Sequence, residues 1–206
     1  MYEQLPGVPK MKRLMAILTV VVAMSMVLQP VGAFGSKSGA PYSHPYPTGL
    51  KPGDIVIGHN PISDLFIPGY WTHTGMIVGY DSSAGEYIVI EAWDDPSEVR
   101  LVYLSDFLQR YDTVAVLRVA TSDYVRMNAV YFALQQLGKP YDWAWYTKHV
   151  YGDKYYCSEL VWASYKAVGG PDIDAHPGFS WKYLYGVAPQ EVYDDGDTYV
   201  IYYDSA

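Results

Sequence analysis

The sequence predicts an α+β fold, an antiparallel sheet with helices packed on one side. Three observations lead there. Short runs rich in β-branched residues, separated by turns, fill residues 55–119. The apolar period then changes to that of a helix at residues 123–137 and 157–168. A last strand-like run, 198–203, closes the chain. The 206 residues are 50% hydrophobic and 17% charged, which suits one globular domain with short appendages.

Residues 1–33 stand apart. Lys10, Lys12 and Arg13 precede an apolar run over residues 14–28, and Val31-Gly32-Ala33 is a small-residue cleavage pattern. We read this segment as an export signal, with a retained membrane anchor as the alternative; a span needs roughly 20 apolar residues. Residues 34–49, rich in Gly, Ser and Pro, read as a flexible leader. Residues 50–206 are the expected domain.

Within that domain, Pro52-Gly53-Asp54 is a turn before a buried strand at 55–57. Residues 58–72 form an apolar, Gly/Pro-punctuated loop. Strands at 73–80 and 86–92 flank the turn Asp81-Ser82-Ser83-Ala84-Gly85 and make a hairpin. Residues 99–104 and 113–119 are further strands. Ser122 or Asp123 caps an amphipathic helix of about four turns that Gly138 ends. An aromatic loop covers 139–156, and the second helix runs from Cys157 to Val168, stopped by Gly169-Gly170.

Composition narrows the function. The formal charge is −8, and residues 1–33 carry a net +2, so the remainder carries −10. That balance argues against a nucleic-acid partner. It leaves a membrane reachable only through an uncleaved N-terminal segment. One cysteine excludes an intramolecular disulfide framework and multi-cysteine metal sites. No phosphate-binding Gly-rich loop and no metal-spaced His pair is present, so neither cofactor nor metal is expected. Asp194-Asp195-Gly196-Asp197 lacks the spacing of a calcium loop and reads as a turn.

The lone thiol sits where chemistry is favoured. Cys157 opens a helix, where the macrodipole and free N–H groups stabilise a thiolate and can face an oxyanion. The alternative is a buried, inert cysteine. Of five histidines, His44, His59, His149 and His176 lie in loops or the leader, whereas His73 opens a strand. It is either structural or a proton partner for the thiol. Glu91 lies in the otherwise apolar Ile88-Val89-Ile90-Glu91-Ala92. With the hairpin centred near residue 83, His73 falls opposite residue 93, and Glu91 lies on the same face two positions away. That is where a group orienting the imidazole belongs, although an edge charge facing water fits the same position. Tyr155, Tyr156, Ser158 and Tyr141 are candidates to contact substrate or its oxyanion.

Four segments in order carry a family resemblance. The run from Tyr155 to Val161, Tyr-Tyr-Cys-Ser-Glu-Leu-Val, resembles the nucleophile segment of NlpC-type papain-like cysteine peptidases. Leu50-Lys51-Pro52-Gly53-Asp54-Ile55-Val56, Gly138-Lys139-Pro140-Tyr141-Asp142 and Pro189-Gln190-Glu191-Val192 resemble other segments of that family, over residues 50–203. Here His73 and Glu91 precede Cys157, the order of the circularly permuted, YiiX-like branch related to lecithin:retinol acyltransferase. The resemblance implies a permuted papain-like half-barrel packed against two main helices, with the triad mapping onto Cys157, His73 and Glu91. Together with the export signal read at residues 1–33, it implies an exported cysteine hydrolase, a peptidase or amidase forming a thioester, acting on a peptide or envelope-derived substrate. A lipid-directed acyltransferase or esterase, with an acyl groove at 62–71 and 141–156, and a binding module with an inert cysteine are the alternatives. The ordinary family has Gly two residues after the cysteine; this chain has Glu159.

Overall fold

The computed structural model describes residues 41–61 and 67–206. The expected signal segment, most of the leader and residues 62–66 of the apolar loop lie outside them. Among the described residues six antiparallel strands form one open sheet: β1 (Ile55–His59), β2 (His73–Asp81), β3 (Glu86–Asp94), β4 (Ser97–Tyr103), β5 (Thr113–Val119) and β6 (Thr198–Ser205). Their spatial order is β4-β3-β2-β1-β5-β6. Among the described residues four helices accompany it: α1 (Leu104–Leu108), α2 (Asp123–Leu134), α3 (Cys157–Ala167) and α4 (Pro189–Asp194). Among the described residues no helix is long and apolar enough to cross a membrane.

β1 explains its own unbroken apolar run. It lies between β2 and β5, and all five of its residues are buried. A strand covered on both faces has no reason to alternate. Ile55 and Ile57 join Met76, Ile90, Ala115 and Leu117 in a core closed by Ala129, Val130 and Ala133 of α2 and Leu160, Val161 and Tyr165 of α3. Val56 points the other way, with Ile77, Val89, Val114 and Val116, against Leu104, Phe107 and Leu108 of α1. The one-sided arrangement read from the sequence therefore holds for α2 and α3, while α1 covers the opposite face. Its single turn directly continues β4, so Leu104 reads in the sequence as the end of that strand.

Local chemistry sets the element ends. The Ser122 hydroxyl accepts from Val125 N at 3.2 Å and starts α2. Gly138 and Gly169 take the positive φ values, 79° and 70°, of the turns that end the two long helices. In the turn before β1, Gly53 has φ 91°, and Tyr165 of α3 donates to its carbonyl at 2.6 Å. Arg118 grips Asp54 through Nε at 2.7 Å and Nη2 at 2.6 Å. The helix layer is thereby tied to the sheet beside β2.

Residues 41–49, read as the end of the leader, lie along the domain. Tyr42 N donates to the Gln109 carbonyl, and His44 contacts Asp204 at 2.7 Å and the Tyr111 carbonyl at 2.8 Å. Tyr46 donates to Glu86 at 2.8 Å. Ordered polar contacts, absent from a composition count, hold this stretch.

Candidate active site

The site assembles where β2 begins beside the start of α3. Thr72 N donates to the Gly58 carbonyl at 3.0 Å and seats the start of β2 against β1. β2 and β3 pair with Met76 opposite Ile90. Continued toward the strand ends, that register sets Gly75 opposite Glu91 and His73 opposite Trp93, as the hairpin arithmetic requires. A β-bulge between Ile77 and Gly79 shifts the register by one residue from the turn side, where Asp81 faces Glu86, and without it His73 would fall opposite Asp94. Same-face parity then brings the two side chains together: His73 Nε2 and Glu91 Oε2 are 3.0 Å apart. A Cβ on Gly75 would fall 2.5 Å from Val89 Cγ1, so glycine is what fits beneath this pair.

Glu91 has no exposed surface. Arg100 donates to its Oε1 from Nε at 3.1 Å and Nη2 at 3.0 Å. Arg110 forks across both oxygens, from Nη1 to Oε1 at 3.0 Å and from Nη2 to Oε2 at 2.7 Å. Burial alone would raise the carboxyl pKa, but Arg110 and His73 overcome it and hold Glu91 well below the usual carboxylate range. Both guanidiniums lie over the Trp93 ring, 4.5 and 4.4 Å from its centroid. The same indole meets the His73 ring edge-on at 5.4 Å, and Tyr111 stacks on that ring at 5.8 Å. Packing therefore fixes the imidazole plane as well as its hydrogen bond.

Cys157 is the first residue of α3, 97% withdrawn from solvent. Its sulfur lies within the influence of His73 and of the Thr74 backbone. Since Nε2 of His73 is engaged by Glu91, Nδ1 is the nitrogen left for the sulfur. Burial pushes the thiol pKa up, but the charge and hydrogen bond of His73 outweigh it and bring it below its ordinary value. Burial likewise pulls His73 down, and Cys157 with Glu91 outweighs it, pushing the imidazole up to about 9. Both shifts favour one species, a thiolate beside an imidazolium. Such a pair supplies a nucleophile and a proton donor in contact.

The other sequence candidates separate by what their hydroxyls do. Tyr155 donates to the Val150 carbonyl and accepts from Gly152 N, both at 2.9 Å. Ser158 donates to the Val187 carbonyl at 2.6 Å, and Tyr156 accepts from Val187 N at 2.9 Å. These three fasten the flanking loops to the start of α3. Tyr141, half-buried, has its phenol pKa raised by burial first and then by the Cys157 charge. Glu159 is wholly buried and accepts from Tyr156 N at 3.2 Å and His149 N at 2.7 Å. It caps the helix that carries the cysteine.

The remaining histidines lie elsewhere. His44 has both ring nitrogens on Asp204 and the Tyr111 carbonyl. His59 contacts Asp112 at 2.5 Å and stacks on Tyr70. His176 lies 3.2 Å from Glu191. Asp194-Asp195-Gly196-Asp197 includes the end of α4 and a turn in which Asp197 N donates to Asp195. Among the described residues no three His, Cys, Asp or Glu side chains gather as a metal site.

Sequence reasoning missed Arg100, Arg110 and Trp93. Arg100 was reachable: it stands directly opposite Glu91 in the β3–β4 ladder, and a buried acid invites a basic cross-strand mate. Arg110 follows α1 and had no comparable spacing signal.

Known proteins fit this geometry. A crystal structure described as metalloprotein yiiX from Escherichia coli O157:H7 superposes with a TM-score of 0.58 at 22% identity, covering 76% of this chain and 98% of that one. At that identity the likeness establishes the α+β fold. No curated protein matches the chain. The sequence pattern of the permuted papain-like amidase enzymes, the YaeF/YiiX or C92 family, spans residues 49–202, and this chain, a cysteine hydrolase by that membership, belongs to that family.

Proposed function

We propose that the protein is an exported amidase that cleaves a peptide amide, in a peptide or a cell-envelope peptide, through Cys157, His73 and Glu91. The observation that carries this reading is His73 held 3.0 Å from buried Glu91 while it acts on the helix-opening thiol of Cys157 and lowers its pKa. The Cys157 thiolate adds to the carbonyl carbon, and negative charge moves to the carbonyl oxygen. The backbone N–H of Cys157 at the start of α3, with the Tyr141 hydroxyl, suits that oxygen. The imidazolium of His73 gives its proton to the amine nitrogen as the C–N bond breaks, leaving a thioester on Cys157 and a neutral imidazole. Water then adds to the thioester carbon while His73 takes its proton; the C–S bond breaks, a carboxylic acid leaves and the ion pair is restored. Glu91 keeps Nε2 as the donor toward itself throughout.

Export rests on the basic and apolar pattern of residues 1–33. With that segment removed the formal charge is −10, which disfavours an anionic polymer or lipid surface as a tightly held partner. An uncharged acyl lipid is the second reading. It is favoured by the exposed aromatics Trp143, Trp145 and Tyr146, which adjoin Phe179, Trp181 and Tyr185 where Tyr185 N donates to the Tyr146 carbonyl.

The test is to incubate the protein with peptide and envelope-peptide fragments and, separately, with lipid esters. Acid quenching and mass spectrometry then identify the group on Cys157. A peptide-derived acyl group is expected. A fatty acyl group would install the lipid reading, and no acyl group from any substrate would leave a binding module.

A further inference from the structure

Glu91 receives more positive charge than an orienting group needs for one histidine. Two guanidiniums from separate elements, β4 and the segment after α1, place four N–H donors on its two oxygens. Arg110 is itself anchored, with Nε donating to the Asp106 carbonyl at 3.2 Å. We propose that Arg110, assisted by Arg100, is a positioning residue that keeps Glu91 ionised and in one orientation. Glu91 then stays the acceptor of His73 under acidic conditions that would protonate an unaided buried carboxyl. This deepens the Cys157–His73–Glu91 reading and rests on it.

The charge surroundings support the assignment. Glu91 faces His73 of β2, Arg100 of β4 and Arg110 after α1. Asp106 of α1 adds a negative charge near Arg110, and Tyr111 lies beside it. Beyond His73, Cys157 faces it from the helix layer. A buried carboxylate without a cation would take up a proton to escape the desolvation cost. A protonated Glu91 no longer stabilises the imidazolium, and the proton returns from His73 to the Cys157 thiolate. The arginines therefore extend the acid side of the range in which the nucleophile exists. Arg110 matters more than Arg100, because its fork reaches Oε2, the oxygen that also faces His73.

The alkylation rate of Cys157 by iodoacetamide, followed against pH, tests this without a known substrate. In Arg110→Met the acid limb moves up by about one to three pH units, the size of a lost opposite charge. Arg110→Lys keeps a cation and restores part of the limb; it carries the comparison if the Met variant does not fold. Glu91→Gln removes the titrating group, so Arg110→Met added to it produces no further shift. Single-variant profiles that overlay the wild type, or the same shift in the Glu91→Gln background, would overturn the proposal. Absence of low-pH reactivity in the wild type itself would instead overturn the thiolate–imidazolium reading.

Discussion

Two buried glutamates flank the candidate nucleophile, and they are opposites. Glu91 lies on the His73 side and Glu159 two residues after Cys157, both with no exposed surface. Glu91 is met by two guanidiniums and an imidazole and stays well below the usual carboxylate range. Glu159 is met by two backbone N–H groups; burial dominates and pushes it up to about 7. Depth is the same, so depth does not decide charge. The partners do: full charges overcome desolvation, whereas two peptide dipoles only soften it. One glutamate is built to stay ionised and orient a histidine. The other is built to cap a helix.

The largest effect expected from breaking this contrast is on chemistry. Glu91→Gln leaves the shape and removes the charge that supports the imidazolium. Turnover should fall by on the order of 10²- to 10⁴-fold, read as kcat/KM on whichever substrate acylates Cys157. Next comes stability. Arg110→Met strands part of a buried charge, and chemical denaturation near neutral pH should show a loss of about 3–5 kcal/mol, reduced if Arg100 takes over.

Glu159 should answer to pH instead. Its folded pKa lies above the ordinary carboxyl value, so the stability it contributes is fully present below about pH 4.5 and is lost as pH rises through about 7. Glu159→Gln should therefore be least favourable relative to wild type at acid pH, and the gap should narrow toward neutrality. Urea unfolding at three pH values checks the sign. Glu191, also pushed up to about 7 by burial, is common to both proteins and cancels in the difference. The smallest effect belongs to Lys154→Ala. That half-exposed lysine pairs with Asp142 at 2.9 Å near Glu159, and its removal should leave the unfolding midpoint nearly unchanged.

The same contrast marks what was legible in the sequence. A carboxylate inside an apolar strand is conspicuous, and hairpin parity put Glu91 on the face of His73 before any coordinates. The strands of the central hairpin and both long helices follow from periods of two and 3.6 that persist for several residues. Glu159 was visible only as a departure from a glycine; that it caps its own helix depends on Tyr156 and His149 backbone positions. Five- and six-residue helices such as α1 and α4 are too short to display a period. Arg110 was hidden because it is brought to Glu91 by the path of α1 across the sheet, a tertiary event with no spacing rule. The hold on residues 41–49 was hidden for the same reason, through contacts to Gln109, Tyr111 and Asp204 far along the chain.

The central claim is that Cys157 is a thiolate because His73 faces it. Iodoacetamide alkylation of Cys157 against pH, in the wild type and in His73→Ala, tests it most directly. The wild type should already react well below the ordinary thiol range and change little up to about pH 9, while the variant should gain reactivity only through that ordinary range near 8.5. Identical profiles, with labelling in both only above about pH 8.5, would contradict it.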